Sequence, residues 1–354
     1  MNEGSARERT RAVRVGDILI GGGAPVAVQS MTCTPTEDAD ATLAQVRALA
    51  DAGCDLVRVS VPTKAALEPF ARVCEASPVP IVADIHFDYR LAIGAARAGA
   101  AKLRINPGNI GSWERVDAVI DAAGEAGAAI RIGVNAGSLQ KDIVERTDLT
   151  QAEKLTASAL AFVEHFEDRG FTDIVLSAKA HSVPTTLETY RRLSAELPQI
   201  PLHLGVTEAG GVRQGTIKSS IALGALLAEG IGDTLRVSLT ADPLEEVPVA
   251  WGILAATGVR RRGPEMVSCP TCARCQVDMI PIAEEVERRL ASCSKPISVA
   301  VMGCAVNGPG EASDADVGVA CGRGQALLFR HGEVVRKVPE AEIIDALMEE
   351  IEHL

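Results

Sequence analysis

Eight short runs rich in valine, isoleucine and leucine recur through the first two-thirds of the chain, each followed by an Ala/Leu-rich stretch with room for a helix. This rhythm constrains the fold more than any single motif. The runs fall at 26–31, 56–61, 80–85, 101–105, 129–134, 173–178, 201–206 and 234–239. Between them, stretches such as 40–52, 91–98, 151–169 and 219–229 have the apolar spacing of amphipathic helices. Gly53, Gly99, Gly127, Gly170 and Gly230 stand just ahead of following strands, where a left-handed residue ends a helix. Alternating β and α units build a parallel sheet covered by helices. Eight such units in about 250 residues is the arithmetic of an α/β fold of the (β/α)8 TIM-barrel type. An open doubly wound sheet would carry a glycine fingerprint after its first strand. Here Gly21-Gly22-Gly23 precedes that strand, which favours the barrel.

The segment from Thr257 to Pro264 is charged and turn-rich and reads as a linker, dividing the chain into domains 1–258 and 259–354. The second has another grammar: a helix at 281–292, a buried strand at 297–302, and strands 326–330 and 333–338 turning at His331-Gly332. A closing helix at 340–353 completes a small α+β domain. Within the barrel, the connection 137–150 is long for its kind and predicts a lid. The formal charge of −12 argues against nucleic acid or an anionic membrane as partner. No apolar run approaches the roughly 20 residues that span a bilayer. Nine cysteines without a secretory leader point to a reducing cytoplasm and to metal rather than disulfides.

Side chains at the C-terminal ends of barrel strands face the active site. Here those ends carry Gln29 and Ser30, Arg58 and Ser60, Asp84 and His86, then Arg104 and Asn106. Later strands add Arg131 and Asn135, Ser177 and Lys179, His203 with Thr207 and Glu208, and Arg236 with Ser238. An arginine among apolar strand neighbours is costly unless it is paired or meets a ligand. Arg58, Arg104, Arg131 and Arg236 all sit so, and their forked donors suit a phosphorylated substrate. The plainer reading pairs them with barrel carboxylates such as Asp55, Asp84 or Asp173. Taken alone, His86 and His203 read as orienting or core histidines rather than metal ligands. Asp84 and Glu208 are acid–base candidates at the mouth.

Cys33, Cys54, Cys74, Cys293 and Cys321 are isolated, and a buried small hydrophobe is the expectation for each. Cys269 and Cys272 form a CxxC pair, and Cys304 follows a buried strand. Three thiolates in that pattern fit zinc or an iron–sulfur cluster. Cys275 is available as a fourth thiol, and Gly308-Pro309-Gly310-Glu311 as a turn bringing a carboxylate. Three thiolates and a carboxylate suit a cluster with one weakly held iron, which a substrate oxygen could reach.

These residues lie in segments with a recognisable pattern: VQSMT (28–32), ADIHF (83–87), KLRINPGN (102–109), RIGVNAGSL (131–139), HLGVTEAG (203–210), a long match at 218–240, SCPTC (268–272) and VMGCAVNGPGEA (301–312). Over nearly its whole length the chain resembles the 4-hydroxy-3-methylbut-2-enyl diphosphate synthases of the non-mevalonate isoprenoid pathway. The resemblance implies a barrel followed by a 4Fe–4S domain similar to repeats in sulfite and nitrite reductases. It implies cluster ligands at Cys269, Cys272, Cys304 and Glu311. It also implies a head-to-tail homodimer, a cyclic diphosphate substrate and reduced flavodoxin or ferredoxin as electron donor. Substrate contacts are expected at Arg58, His86, Arg104, Asn106, Arg131, Asn135, Lys179, His203, Lys218 and Arg236, and catalytic roles at Glu208, Glu311 and Asp84. Two departures from the family pattern are Cys275, an extra thiol near the cluster, and His181, where serine is expected. A pterin-type transferase with a structural zinc appendage is the enzymatic rival and would need no redox partner. An electron-carrier module with an inactive barrel is the other, and phosphate-ligand binding by the barrel would count against it.

Overall fold

The computed structural model describes residues 5–291, 293–304, 310 and 312–354. The chain forms two compact units, one ending at Arg260 and the other spanning Arg261–Leu354. Arg260 closes the first because its guanidinium pairs with Asp55 at 2.6 Å and donates to the Val26 carbonyl at 2.9 Å.

The first unit opens with an antiparallel hairpin, β1 (Val13–Val15) and β2 (Ile18–Ile20). Eight parallel strands follow: β3 (Ala27–Met31), β4 (Leu56–Ser60), β5 (Ile81–Asp84), β6 (Lys102–Ile105), β7 (Ala129–Asn135), β8 (Ile174–Lys179), β9 (His203–Leu204) and β10 (Thr234–Leu235). Their order is β8-β7-β6-β5-β4-β3-β10-β9, and a parallel bridge between Leu176 and Leu202 joins the two ends, making the expected barrel. β9 and β10 are shorter than their sequence runs. Beyond Leu204 the space is taken by the Lys179 ammonium, which would lie 2.6 Å from any Cβ placed on Gly205. Pairing there thins to single bonds such as Arg236 N to the Leu204 carbonyl, 3.0 Å.

Strand parity sorts the side chains. Outward positions, among them Val28, Val57, Ile105, Ile132 and Leu176, pack under the helices in the main core. Inward positions begin with an apolar plug of Ala27, Leu56, Val82, Ala129 and Val175, capped by Val13, Val15 and Ile20 of the hairpin. Two residues further along the same strands the interior turns polar, at Gln29, Arg58, Asp84, Arg131 and Ser177. The glycines expected to end helices all have positive φ, for example Gly53 at 113° and Gly127 at 66°. The long connection after β7 contains a short helix, Lys141–Val144, and is tied to the next helix by Lys154 Nζ on the Val144 carbonyl at 2.8 Å.

At the foot of the barrel Asp233 accepts from Leu202 N at 2.8 Å and from the Thr10 hydroxyl at 2.9 Å. Burial pushes its carboxyl up to about 6 despite those bonds. A carboxyl raised on folding stabilises most below its unfolded value, and that contribution is lost as pH rises through about 6. The stability of the native chain relative to Asp233→Asn is therefore expected to fall by up to about 3 kcal/mol between about pH 4 and pH 7. Urea unfolding of both proteins across that range checks it.

The second unit is a mixed sheet of β11 (Glu265–Ser268), β12 (Ser298–Met302), β13 (Val317–Gly322), β14 (Gln325–Arg330) and β15 (Glu333–Pro339). The first three are parallel and the last three antiparallel. Helices Met279–Leu290 and Ile343–Glu352 cover one face around Val299, Val301, Val319 and Leu347. The hairpin turns where expected, with φ of 47° at His331 and 78° at Gly332.

Candidate active site

The polar inward positions converge at the C-terminal ends of the barrel strands. Asp84 (β5) is buried among basic side chains: Arg104 Nη1 lies 3.4 Å away, His86 Nε2 3.4 Å and Arg58 Nε 4.0 Å. Burial pushes the Asp84 carboxyl up, but Arg58, Arg104, His86 and Arg131 together hold it below its ordinary range. Arg58 also donates to the Met31 sulfur from Nε at 3.0 Å and Nη2 at 2.8 Å. Its own pKa is pushed down to about 10, by burial first, with Asp84 opposing. Arg236 forks onto Glu246 at 3.2 and 3.1 Å, and Glu246 further accepts from Ser30 and from Leu239 N. With its amide oriented to satisfy both neighbours, Asn135 accepts from Arg104 at 3.1 Å and donates to the Val134 carbonyl at 3.1 Å.

Arg131 is different. It is 1% exposed, and its Nε and Nη1 have no hydrogen-bond partner among the described residues. The same holds for Lys102 Nζ and for both ring nitrogens of His203. Lys179 is buried beside Gly205, its ammonium held well below its usual range by burial and then by Arg131, Arg58, Arg236 and Arg104. Arg58, Arg104, Arg131, Arg236, Lys102 and Lys179 thus share an interior with two buried carboxylates, Asp84 and Glu246. The pairing alternative holds in part, for Arg236 fully and for Arg58 and Arg104 through one shared carboxylate. It fails for Arg131. A buried site in which four guanidinium groups face two carboxylates suits a compact polyanion.

The other expected residues are more dispersed. Asn106 is buried and its side chain accepts from Gly108 N at 3.1 Å, capping a short helix, Pro107–Ile110. Lys218 is half-buried on the helix Val212–Ala228 and forms no ion pair among the described residues. Glu208 is exposed beyond β9 with a left-handed backbone, φ 53°. Sequence reasoning missed Glu246 and Lys102. Lys102 carried a usable signal, since it stands two residues before Arg104 on the same strand and so shares its inward parity.

In the second unit the cysteines gather at one edge. β11 and β12 are parallel neighbours, so Cys269 and Cys304, just past their ends, emerge on the same side. Gly303 N donates to Cys269 Sγ at 3.0 Å. A Cβ at Gly303 would lie 2.5 Å from Cys275 Sγ and 3.4 Å from Cys269 Sγ, so glycine leaves a hollow bounded by sulfur. Cys272 is exposed and Cys304 buried. This soft-donor hollow, bounded by the sulfurs of Cys269 and Cys275 and with a backbone N–H already directed at one of them, has the donor chemistry that suits an iron–sulfur cluster. Glu311 lies outside the described residues. Among the described residues no three His, Cys, Asp or Glu side chains are grouped to hold a single metal ion. Of the isolated cysteines, Cys54 and Cys321 are buried as expected; Cys33 is exposed instead, because the loop after β3 carries it to the surface, where its amide donates to Gln45.

Comparison with known proteins agrees with both halves. Residues 10–251 match the GcpE TIM-barrel domain and residues 265–353 the GcpE C-terminal domain. The 4-hydroxy-3-methylbut-2-en-1-yl diphosphate synthase (flavodoxin) of Geobacter sulfurreducens is 53% identical over 348 residues, covering 98% of each chain. Its namesake from Clostridium acetobutylicum is 52% identical, over 98% of this chain and 99% of its own. The crystal structure of an N-acetylneuraminic acid synthetase from Leptospira borgpetersenii shares the fold alone, at 16% identity and a TM-score of 0.50, over 79% of this chain and 96% of that one. With family matches across both units and near-complete relatives at about half identity, the chain belongs to the GcpE family.

Proposed function

We propose that this chain catalyses the reductive dehydroxylation and ring opening of 2-C-methyl-D-erythritol 2,4-cyclodiphosphate to 4-hydroxy-3-methylbut-2-enyl diphosphate. The observation that carries the reading is the buried cation excess around Arg131, which a cyclic diphosphate would neutralise. Overall, two electrons and one proton enter. The C2–O and C3–O bonds break, a C2=C3 double bond forms, and the C3 oxygen leaves as water.

Arg58, Arg104, Arg131, Arg236 and Lys179 hold the diphosphate and offset the charge that develops on its oxygen as the C2–O bond opens. Asp84 keeps Arg58, Arg104 and His86 in place, and Asn135 orients Arg104. Asn106, His203 and Lys218 complete the proposed substrate contacts. Glu208 delivers the proton to the departing C3 oxygen. When bound by Cys269, Cys272, Cys304 and Glu311, a 4Fe–4S cluster supplies the two electrons singly. Reduced flavodoxin or ferredoxin feeds it, in a cytoplasmic homodimer. The flavodoxin in the names of the relatives supports that donor.

Protein purified without oxygen is expected to contain iron and acid-labile sulfide in equal amounts and to convert the cyclodiphosphate when given reduced flavodoxin. Stoichiometric zinc without sulfide would sink this reading.

A further inference from the structure

Among and beneath the arginines stand buried polar side chains, of which the proposed chemistry uses only His203, as a substrate contact. Gln29 on β3, Lys102 on β6, His203 on β9 and Thr234 on β10 are each at most 1% exposed. Both amide atoms of Gln29, Lys102 Nζ, both His203 nitrogens and Thr234 Oγ1 lack a hydrogen-bond partner among the described residues. The three buried carboxylates of the barrel are committed elsewhere, Asp84 to Arg58, Arg104 and His86, Glu246 to Arg236, and Asp233 to Leu202 N and the Thr10 hydroxyl. Lys102 therefore has neither a counter-ion nor an acceptor among the described residues.

An ammonium in that position is stripped of water with nothing in exchange, so the empty barrel favours the neutral amine. Burial first, then Arg131 on β7 and Arg58 on β4, hold the Lys102 ammonium well below its ordinary range. His203 is depressed by burial and by Arg131, Lys179, Lys102 and Arg58. Tyr190, from the helix Val183–Glu196, donates to the His203 carbonyl at 2.6 Å and keeps its proton, burial pushing its hydroxyl up. Arg104 and Arg236 complete the set of charges at the mouth. Among the described residues no carboxylate forms an ion pair with Lys102.

A dianion seated on the arginines reverses this balance, because the low-dielectric interior carries its field to these side chains. We propose that the barrel binds its anionic substrate together with one proton, which lodges on Lys102. The proton comes from solvent and leaves with the product. It gives the site an added positive charge as the substrate dianion becomes a product trianion. Lys102 is thus a positioning residue for charge and does not touch the reacting atoms. The inference rests on the cyclodiphosphate reading only in that this ligand occupies the mouth.

The test is calorimetric titration of oxidised, anaerobic holoenzyme with the cyclodiphosphate near pH 8, without reductant, in buffers of different ionisation enthalpy. Each phosphorus of this ligand carries one strongly acidic group, so protons counted there belong to the protein. The native enzyme is expected to take up about one proton per ligand, and its affinity to fall by up to about tenfold per pH unit above that. Lys102→Met, or Lys102→Gln if the first does not fold, is expected to bind without proton uptake and with a flat pH profile, while Gln29→Leu and Thr234→Val retain uptake. Binding by the native enzyme without uptake overturns the proposal. So does uptake that survives loss of Lys102, which would place the proton on His203 or Lys179. Absence of any binding by the native enzyme would instead refute the substrate reading.

Discussion

Arg131→Met is expected to weaken cyclodiphosphate binding severely while making the ligand-free protein more stable. The two effects have one cause. Arg131 is fully enclosed, and its Nε and Nη1 are unpartnered among the described residues. Burial first, then Arg58 and Arg104, push its guanidinium well below its ordinary range, and Asp84 only partly opposes them. Replacing a poorly compensated buried charge with an apolar side chain of similar length stabilises by about 1–4 kcal/mol. Removing a buried charge that meets a ligand phosphate costs about 2–5 kcal/mol, or roughly 30-fold to several thousand-fold in affinity. Arg236→Met is the contrast. It strands Glu246, which is buried and bonded to Arg236, Ser30 and Leu239, so it is expected to destabilise by about 3–5 kcal/mol. Urea unfolding and anaerobic calorimetry on both variants separate the roles. An Arg131→Met protein that is less stable and still binds would make Arg131 a structural residue.

That contrast also marks how far the sequence could be read. Arginines recurring inside apolar strands were visible in the chain, and barrel geometry directs all four inward. Their partners were not visible, because Glu246 opens a helix whose apolar run, Val247 to Ala256, gives no hint that one acid is buried. The eight-strand rhythm was legible because a parallel sheet covered on both faces needs near-continuous apolar runs. The β1–β2 hairpin was not, since three-residue strands with one exposed position carry almost no periodicity. β13 was missed for a related reason: Val-Gly-Val-Ala-Cys-Gly is built from small residues that lie close under neighbouring chains, and a Cβ at Gly318 would sit 2.5 Å from Phe329. The thiol pattern was legible at Cys269, Cys272 and Cys304. The sulfur-bounded hollow at Gly303 was not, since it depends on tertiary contacts.

Glu208→Gln is expected to lower kcat by about 100- to 10,000-fold, the range for loss of a positioned proton donor, with KM nearly unchanged. The backbone gives the reason to single out this carboxylate. Among the described residues only Glu208 and His331 are non-glycine residues with positive φ, and His331 sits in a hairpin turn where that is ordinary. A left-handed glutamate costs roughly 1–2 kcal/mol. The strain is imposed from both sides: Thr207 N is bonded to the Ala180 carbonyl at 3.2 Å, Ala209 is buried, and the Gly210 carbonyl accepts from Thr240 N at 3.0 Å. A glycine would fill this position without strain, so the exposed glutamate is maintained against stability. Glu208→Gly should therefore raise the unfolding midpoint slightly, by roughly 1 kcal/mol of stability, while losing as much turnover as the glutamine variant. Parallel measurement of kcat with reduced flavodoxin and of thermal unfolding distinguishes the cases. Normal kcat in Glu208→Gln would mean that the proton reaches the C3 oxygen by another route, and a fall in stability in Glu208→Gly would mean that the carboxylate holds the loop rather than serving the reaction.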